Sequence, residues 1–314
     1  MKLIQGDCLT ELKKLDSESI NCCITSPPYW ALRDYGVEGQ LGLEPTFQEY
    51  ITKLCDIFDE VKRVLRKDGT CWVNLGDTYG GSGAGTWQNK PADAKSKEVY
   101  TLPYGKSSCS KMRGTPQDKC LLQIPSRFSI EMCNRGWILR NTIIWQKQNC
   151  MPSSVKDRFT VDYECIFFFV KNKKYWFEQQ HEPYVLNTDM AYRRKLRCGR
   201  KYGVKRPYKD NQPLSHSKTP AVVNPQGRNK RCVWNINTKP FKGAHFAVFP
   251  EELIETPIKA GCPKGGVVMD IFSGAGTTGV VAKKLGREFI GIELNPEYME
   301  MAEKRIANTQ ESMF

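Results

Sequence analysis

Apolar positions along the 314-residue chain fall first into short blocks separated by turn residues. Leu3 to Gln5 reads as a strand, Leu9, Leu12 and Leu15 mark one face of a helix over Cys8 to Leu15, and Ile20 to Thr25 is a second strand. Thr46, with Glu49 three residues on, forms a capping box that opens an amphipathic helix to about Arg66, and Asp68-Gly69 stops it before an apolar strand over Thr70 to Leu75. From Tyr79 to about Lys119 the pattern dissolves into Gly, Ser, Lys and Pro. That length predicts a mobile functional loop rather than a passive connection. Gly80 to Gly85 is glycine-rich, but no apolar-periodic helix follows, so it does not read as a dinucleotide fingerprint.

A helix near Ser126 to Arg135, ended by Gly136, precedes strands over Trp137 to Trp145 and Asp162 to Val170, the second nearly continuous in apolar character. Regular alternation lapses and resumes at about Cys232. Pro250 opens a helix to about Thr256 that Pro257 should end or kink, and Val267 to Ile271 is a strand. Gly276 to Leu285 reads as a helix, Glu288 to Ile292 as a strand, and Asn295-Pro296 caps a last helix to about Ala307. The alternation predicts an α/β fold.

Composition narrows the class. Apolar residues at 40% and charged residues at 26% exclude general disorder and a membrane protein. The longest apolar run, Cys165 to Val170, is far too short to span a bilayer, and Met1 to Asp7 lacks the apolar core of a signal peptide, so the expected location is cytoplasmic. The 13 cysteines are odd in number, scattered through apolar segments and never spaced Cys-x-x-Cys. With His181, His216 and His245 far apart as well, no metal site is expected. The net charge of +13 is concentrated: Lys171 to Arg231 holds sixteen Lys and Arg against four acids, or +12. A neutral body with one basic segment points to a polyanionic partner.

Two constellations carry candidate chemistry. Met269-Asp270-Ile271 is followed by Phe272-Ser273-Gly274-Ala275-Gly276-Thr277-Thr278, a helix, and a strand ending in Glu293. Strand, glycine turn and helix N-terminus let a ligand approach the backbone, and an acid ending the next strand can accept hydrogen bonds from ribose hydroxyls. The second is Thr25-Ser26-Pro27-Pro28-Tyr29-Trp30 at a strand end. Its prolines stiffen the backbone, so the Ser26 hydroxyl, the Pro27 carbonyl and the Tyr29 ring form a rigid acceptor pair beside an aromatic plate, which suits a flipped base.

Ser-Pro-Pro-Tyr near the N-terminus and Phe-Ser-Gly-Ala-Gly-Thr-Thr near the C-terminus together resemble the beta group of DNA amino-methyltransferases. The resemblance covers essentially the whole chain, and the motif order matches that group's circular permutation. It implies a Rossmann-like S-adenosyl-L-methionine-dependent methyltransferase fold: residues 1–170 as the catalytic part, with a mobile loop over 79–119, 171–231 as a basic target-recognition insertion, and 232–314 as the cofactor-binding part. By the same resemblance Ser26, Pro27, Pro28 and Tyr29 are catalytic. Asp7, His245, Phe249, Asp270, Phe272, Ser273, Gly274, Gly276, Thr277, Thr278 and Glu293 hold S-adenosyl-L-methionine. Trp30 is expected as a second aromatic wall on the DNA side, with Arg193, Arg194, Lys195, Arg197, Arg200 and Lys201 on double-stranded DNA. A homodimer and a cognate restriction endonuclease are further partners that such proteins have. No Pro-Cys pair occurs, which disfavours carbon methylation. Serine in the first motif leans toward cytosine N4; adenine N6, an RNA substrate and a catalytically silent DNA-binding module stay open.

Overall fold

The computed structural model describes residues 1–81, 109–183, 226–239 and 248–310. The chain divides into two compact units, Met1–Glu178 with Cys232–Phe314, and Gln179–Arg231. In the second unit the described residues form a short antiparallel pair, His181–Glu182 against Arg228–Asn229, with the Arg228 and Arg231 side chains on the Glu182 carboxylate at 2.8 and 2.6 Å. The segment from Lys171 to Glu178, grouped above with the basic insertion, belongs to the first unit. Its Lys171 ammonium donates to the Lys62 and Leu65 carbonyls at a helix end, at 3.1 and 2.5 Å.

The first unit is built on a sheet that has eight strands among the described residues. In chain order they are β1 (Lys2–Gln5), β2 (Ile20–Thr25), β3 (Leu65–Leu75), β4 (Ile138–Gln146), β5 (Tyr163–Val170), β8 (Val233–Asn235), β9 (Val267–Asp270) and β10 (Glu288–Glu293), with β6 and β7 being the pair in the second unit. Their spatial order is β1-β10-β9-β2-β3-β5-β4-β8. All neighbours run parallel except where β5 meets β3 and β4. Six helices flank it: α1 (Cys8–Lys13), α2 (Phe47–Val64), α3 (Ile124–Asn134), α4 (Glu251–Gly261), α5 (Thr277–Lys284) and α6 (Pro296–Ala307), as counted among the described residues.

Side chains alternate between two cores because strand neighbours point to opposite faces. Cys23, Cys71 and Val73 join α2 and α3 on one side, while Cys22, Ile24 and Trp72 join α4 and α5 on the other. The helix α2 starts as expected, with Thr46 Oγ1 accepting from the Glu49 amide at 3.2 Å. It stops at Val64 rather than Arg66, because Leu65 is already paired with Ile20 in the sheet. The sequence predicts a stop or kink at Pro257, yet α4 continues to Gly261. One missing backbone bond costs about 3 kcal/mol. Burying Leu253, Ile254 and Ile258 against the sheet offsets that, at about 1.5–3 kcal/mol each.

Candidate active site

From β2 the chain passes through α2 to β3 on one side, whereas from β9 it passes through α5 to β10 on the other. The reversal lies between β2 and β9, and ligands in open α/β sheets bind beyond the carboxyl ends of the strands at such a point. A cavity of about 860 Å³ lies there, lined by both sequence motifs, by Gly6 and Asp7 after β1, and by Asn74 and Glu164. The motifs touch directly: Thr25 Oγ1 donates to Asp270 Oδ1 at 2.7 Å.

One half of the cavity is an acceptor-lined cleft. The Glu293 carboxylate accepts from the Gly274 amide at 2.7 Å and the Asn295 amide at 2.9 Å. Burial raises its pKa, and these two amides oppose that shift. Two amides do not exhaust the lone pairs of a carboxylate, so Glu293 retains capacity for ligand hydroxyls. Asp7 caps α1, its Oδ1 accepting from the Thr10 amide and hydroxyl at 2.9 and 2.7 Å. Tyr35 and Tyr298, both lining the cavity, pack edge to face with ring centroids 6.4 Å apart, and Phe272 and Phe249 supply apolar wall. Ser273 Oγ and Arg33 Nη1, both of residues lining the cavity, are buried without a hydrogen-bond partner among the described residues.

The other half is a hydrogen-bonded chain. Ser26 Oγ donates to Asn74 Oδ1 at 3.4 Å. Asn74 Nδ2 donates to Glu164 Oε2 at 3.1 Å and to the Cys165 carbonyl at 3.2 Å, which fixes the orientation of the amide. The Tyr29 hydroxyl donates to Glu164 Oε2 at 2.7 Å, and Lys147 Nζ donates to Glu164 Oε1. Burial, reinforced by the Glu164 charge, pushes the Tyr29 phenol well above its usual range and keeps it a neutral donor. Because the Ser26 proton is engaged by Asn74, its remaining lone pairs are available as acceptors.

The sequence profile of the DNA methylase family matches residues 20–304. The chain belongs to the DNA methylase family. Among relatives of this methylase, the Type II methyltransferase M.SmaI of Serratia marcescens is 41% identical over 308 residues, covering 97% of this chain and 90% of that protein. M.Cfr9I of Citrobacter freundii is 39% identical over 310 residues, covering 97% and 87%. Among solved structures, a PvuII DNA methyltransferase described as cytosine-N4-specific aligns with a TM-score of 0.61 at 20% identity, covering 96% of this chain and 85% of that one. A DNA modification methylase from Thermus thermophilus, solved with S-adenosyl-L-methionine, aligns with a TM-score of 0.55 at 20% identity, covering 98% and 94%.

In the methylase, Ser26, Pro27, Pro28, Tyr29, Asp7, Phe249, Phe272, Ser273, Gly274, Thr277 and Glu293 all line the cavity. Four of the expected site residues do not line the cavity. Trp30 is buried, its indole donating to the Glu44 carbonyl at 2.9 Å and its ring packing edge-on against Phe47. Asp270 lies beneath the turn and does not line the cavity, its carboxylate accepting from Thr25, Thr278 and the Phe272 amide at 2.7, 2.6 and 3.1 Å. Thr278 is therefore a buried support for Asp270. Gly276 faces α6, where an added Cβ would lie 2.7 Å from the Ala302 Cβ. His245 and the basic residues Arg193, Arg194, Lys195, Arg197, Arg200 and Lys201 lie outside the described residues, as does 82–108 of the expected loop. Sequence reasoning missed Asn74, Lys147, Glu164, Tyr35 and Tyr298. The one available signal was Glu164, an acid opening an otherwise apolar strand.

Burial raises the Asp270 carboxyl from 3.8 to about 6, its three donors only partly opposing this. A carboxyl whose folded pKa exceeds its unfolded one stabilises the fold fully below the unfolded value, and that contribution is lost as pH rises through the folded one. Relative to Asp270→Asn, the native protein is expected to lose about 2 kcal/mol of unfolding free energy between pH 4 and 7. Urea unfolding of both across that range checks this, and parallel pH profiles would contradict it.

Proposed function

We propose that this protein is an S-adenosyl-L-methionine-dependent DNA methyltransferase acting on the exocyclic amino group of a flipped base, cytosine N4. The observation that carries the reading is the shared cavity, in which Ser26, Pro27 and Tyr29 face the cleft formed by Glu293, Phe272 and Asp7. The cleft fits the cofactor chemically. Glu293 offers acceptors to ribose hydroxyls and Asp7 to an adenine amino group. When bound, the cofactor supplies an electrophilic methyl group.

The chain's own residues prepare the nucleophile. An exocyclic amino nitrogen is weak because its lone pair is delocalised into the ring. Acceptors that engage its hydrogens localise that lone pair. Ser26 Oγ, with its proton turned to Asn74, and the Pro27 carbonyl are those acceptors. Cytosine is favoured by the serine of the first motif. Modification-sensitive sequencing of DNA from expressing cells, with nucleoside mass analysis, tests it: N4-methylcytosine is expected, N6-methyladenine would replace the base assignment, and unmodified DNA would refute the function.

Duplex DNA is the expected polyanion for the basic segment. Replacing Arg193, Arg194, Lys195 and Arg197 together by Gln should leave cofactor binding intact and sharply reduce DNA affinity. The slope of log affinity against log salt should become shallower by roughly 0.9 for each phosphate the variant no longer neutralises. An unchanged affinity and slope over a salt series would place DNA recognition elsewhere.

A further inference from the structure

Beyond Ser26 and Tyr29 the cavity wall holds an ion pair that acceptance of amino hydrogens does not require. Trp145 on β4 stands opposite Glu164 on β5, and Lys147, two residues on, reaches Glu164 Oε1. Both side chains line the cavity and keep under a fifth of their exposure, 19% and 17%. The Lys147 ammonium also sits 4.2 Å from the centroid of the Trp145 ring. Withdrawing two charges from water is costly, and such a pair is weak evidence for stability. The strands do not depend on it, since β4 and β5 pair from Ile138↔Val170 to Gln146↔Tyr163. An ammonium has three donors, and the bond to Glu164 engages one.

We propose that Lys147 reads the ring edge of the target base beside the amino group, and that Glu164 is the positioning residue that aims it. Glu164 Oε2 already receives Tyr29 and Asn74, so one carboxylate aligns the aromatic plate, the partner of Ser26 and the ammonium. Next to its amino group cytosine carries two successive acceptors, the ring nitrogen and the 2-carbonyl. Adenine carries a ring nitrogen followed by C–H. A cation with donors to spare therefore selects cytosine, because a polar group left unpaired in a closed site is heavily penalised. This rests on the cytosine-N4 reading and gives it a specificity-determining side chain.

The test uses duplexes bearing the protein's own methylated site, with the target cytosine or a 2-aminopyridine C-nucleoside, which keeps the amino group and ring nitrogen but lacks the 2-carbonyl. Wild-type kcat/KM is expected to fall about 10- to 100-fold on the analogue. The double variant Lys147→Met/Glu164→Gln, neutral and still able to accept from Tyr29 and Asn74, should be slower on cytosine and lose nothing further on the analogue, with cofactor affinity by calorimetry unchanged. A purely structural pair would leave the ratio between the two substrates at its wild-type value. Wild-type protein treating both substrates alike overturns the proposal without recourse to any variant. So does a double variant that discriminates as wild type does while the product is N4-methylcytosine, a failure of Lys147 alone. N6-methyladenine as the wild-type product overturns the base reading and the selector together.

Discussion

Ser26→Ala is expected to lower turnover by about 10²- to 10⁴-fold while cofactor affinity stays unchanged. The hydroxyl is held by Asn74 Oδ1 at 3.4 Å, and that amide is itself fixed by Glu164 and Cys165, so the acceptor is oriented before any base arrives. Removing it withdraws an interaction that strengthens as positive charge grows on the amino nitrogen, a loss felt in the transition state and not in binding. These bonds do not join the Ser26 side chain to the cleft around Glu293 and Phe272, which is why the cofactor should not sense the change. Single-turnover methylation of duplex DNA and calorimetry with S-adenosyl-L-methionine separate the two effects. A near-normal rate would remove Ser26 from the chemistry.

Gly276→Val is expected to destabilise the protein by about 3 kcal/mol or more, and to weaken the cofactor with it. Gly276 sits at φ +73° as the N-cap of α5, a left-handed conformation that a branched residue adopts only under strain. Its missing Cβ would also lie 2.7 Å from the Ala302 Cβ and 3.0 Å from the Ala302 Cα, backbone that cannot swing aside. Relief requires moving α6 or the Ser273-Gly274-Ala275 turn, and that turn lines the cavity. Urea unfolding and cofactor calorimetry on Gly276→Val, with Gly276→Ala as the milder step, should show a graded loss of both. Full stability in the valine variant would mean that the turn and α6 are not packed as described.

Much of the site was legible because its two motifs are local: a proline-stiffened strand end and a glycine turn entering a helix. What stayed hidden were inward and outward directions. Asp270 and Glu293 both lie at the carboxyl ends of parallel strands, and in sequence they look like equivalent ligand acids. In the fold one supports the turn from below and the other faces the cleft. Trp30 follows Tyr29 directly, so an aromatic wall was a fair expectation, but the chain turns at Ala31, at φ +56°, and the indole is buried. Lys147 and Glu164 meet only through the antiparallel register of β4 and β5, which periodicity does not supply. Tyr35 and Tyr298 meet across nearly the whole chain.

In the sheet, β10 and β9 lie between β1 and β2. Strands β1 and β2, consecutive in sequence, are thus held together by two that follow β8, through pairings such as Leu3↔Gly291 and Cys23↔Met269. A nascent chain that has emerged only as far as β8 has Ser26 in place but no cleft, and its central strands expose unpaired edges. Pairings this distant in sequence close slowly, since the entropy of loop closure must be paid before the contacts form. Methylating capacity should therefore arise in one late step, when residues 267–293 leave the ribosome and slot between strands made long before. An interval vulnerable to aggregation or proteolysis therefore falls during synthesis, before these strands are in place.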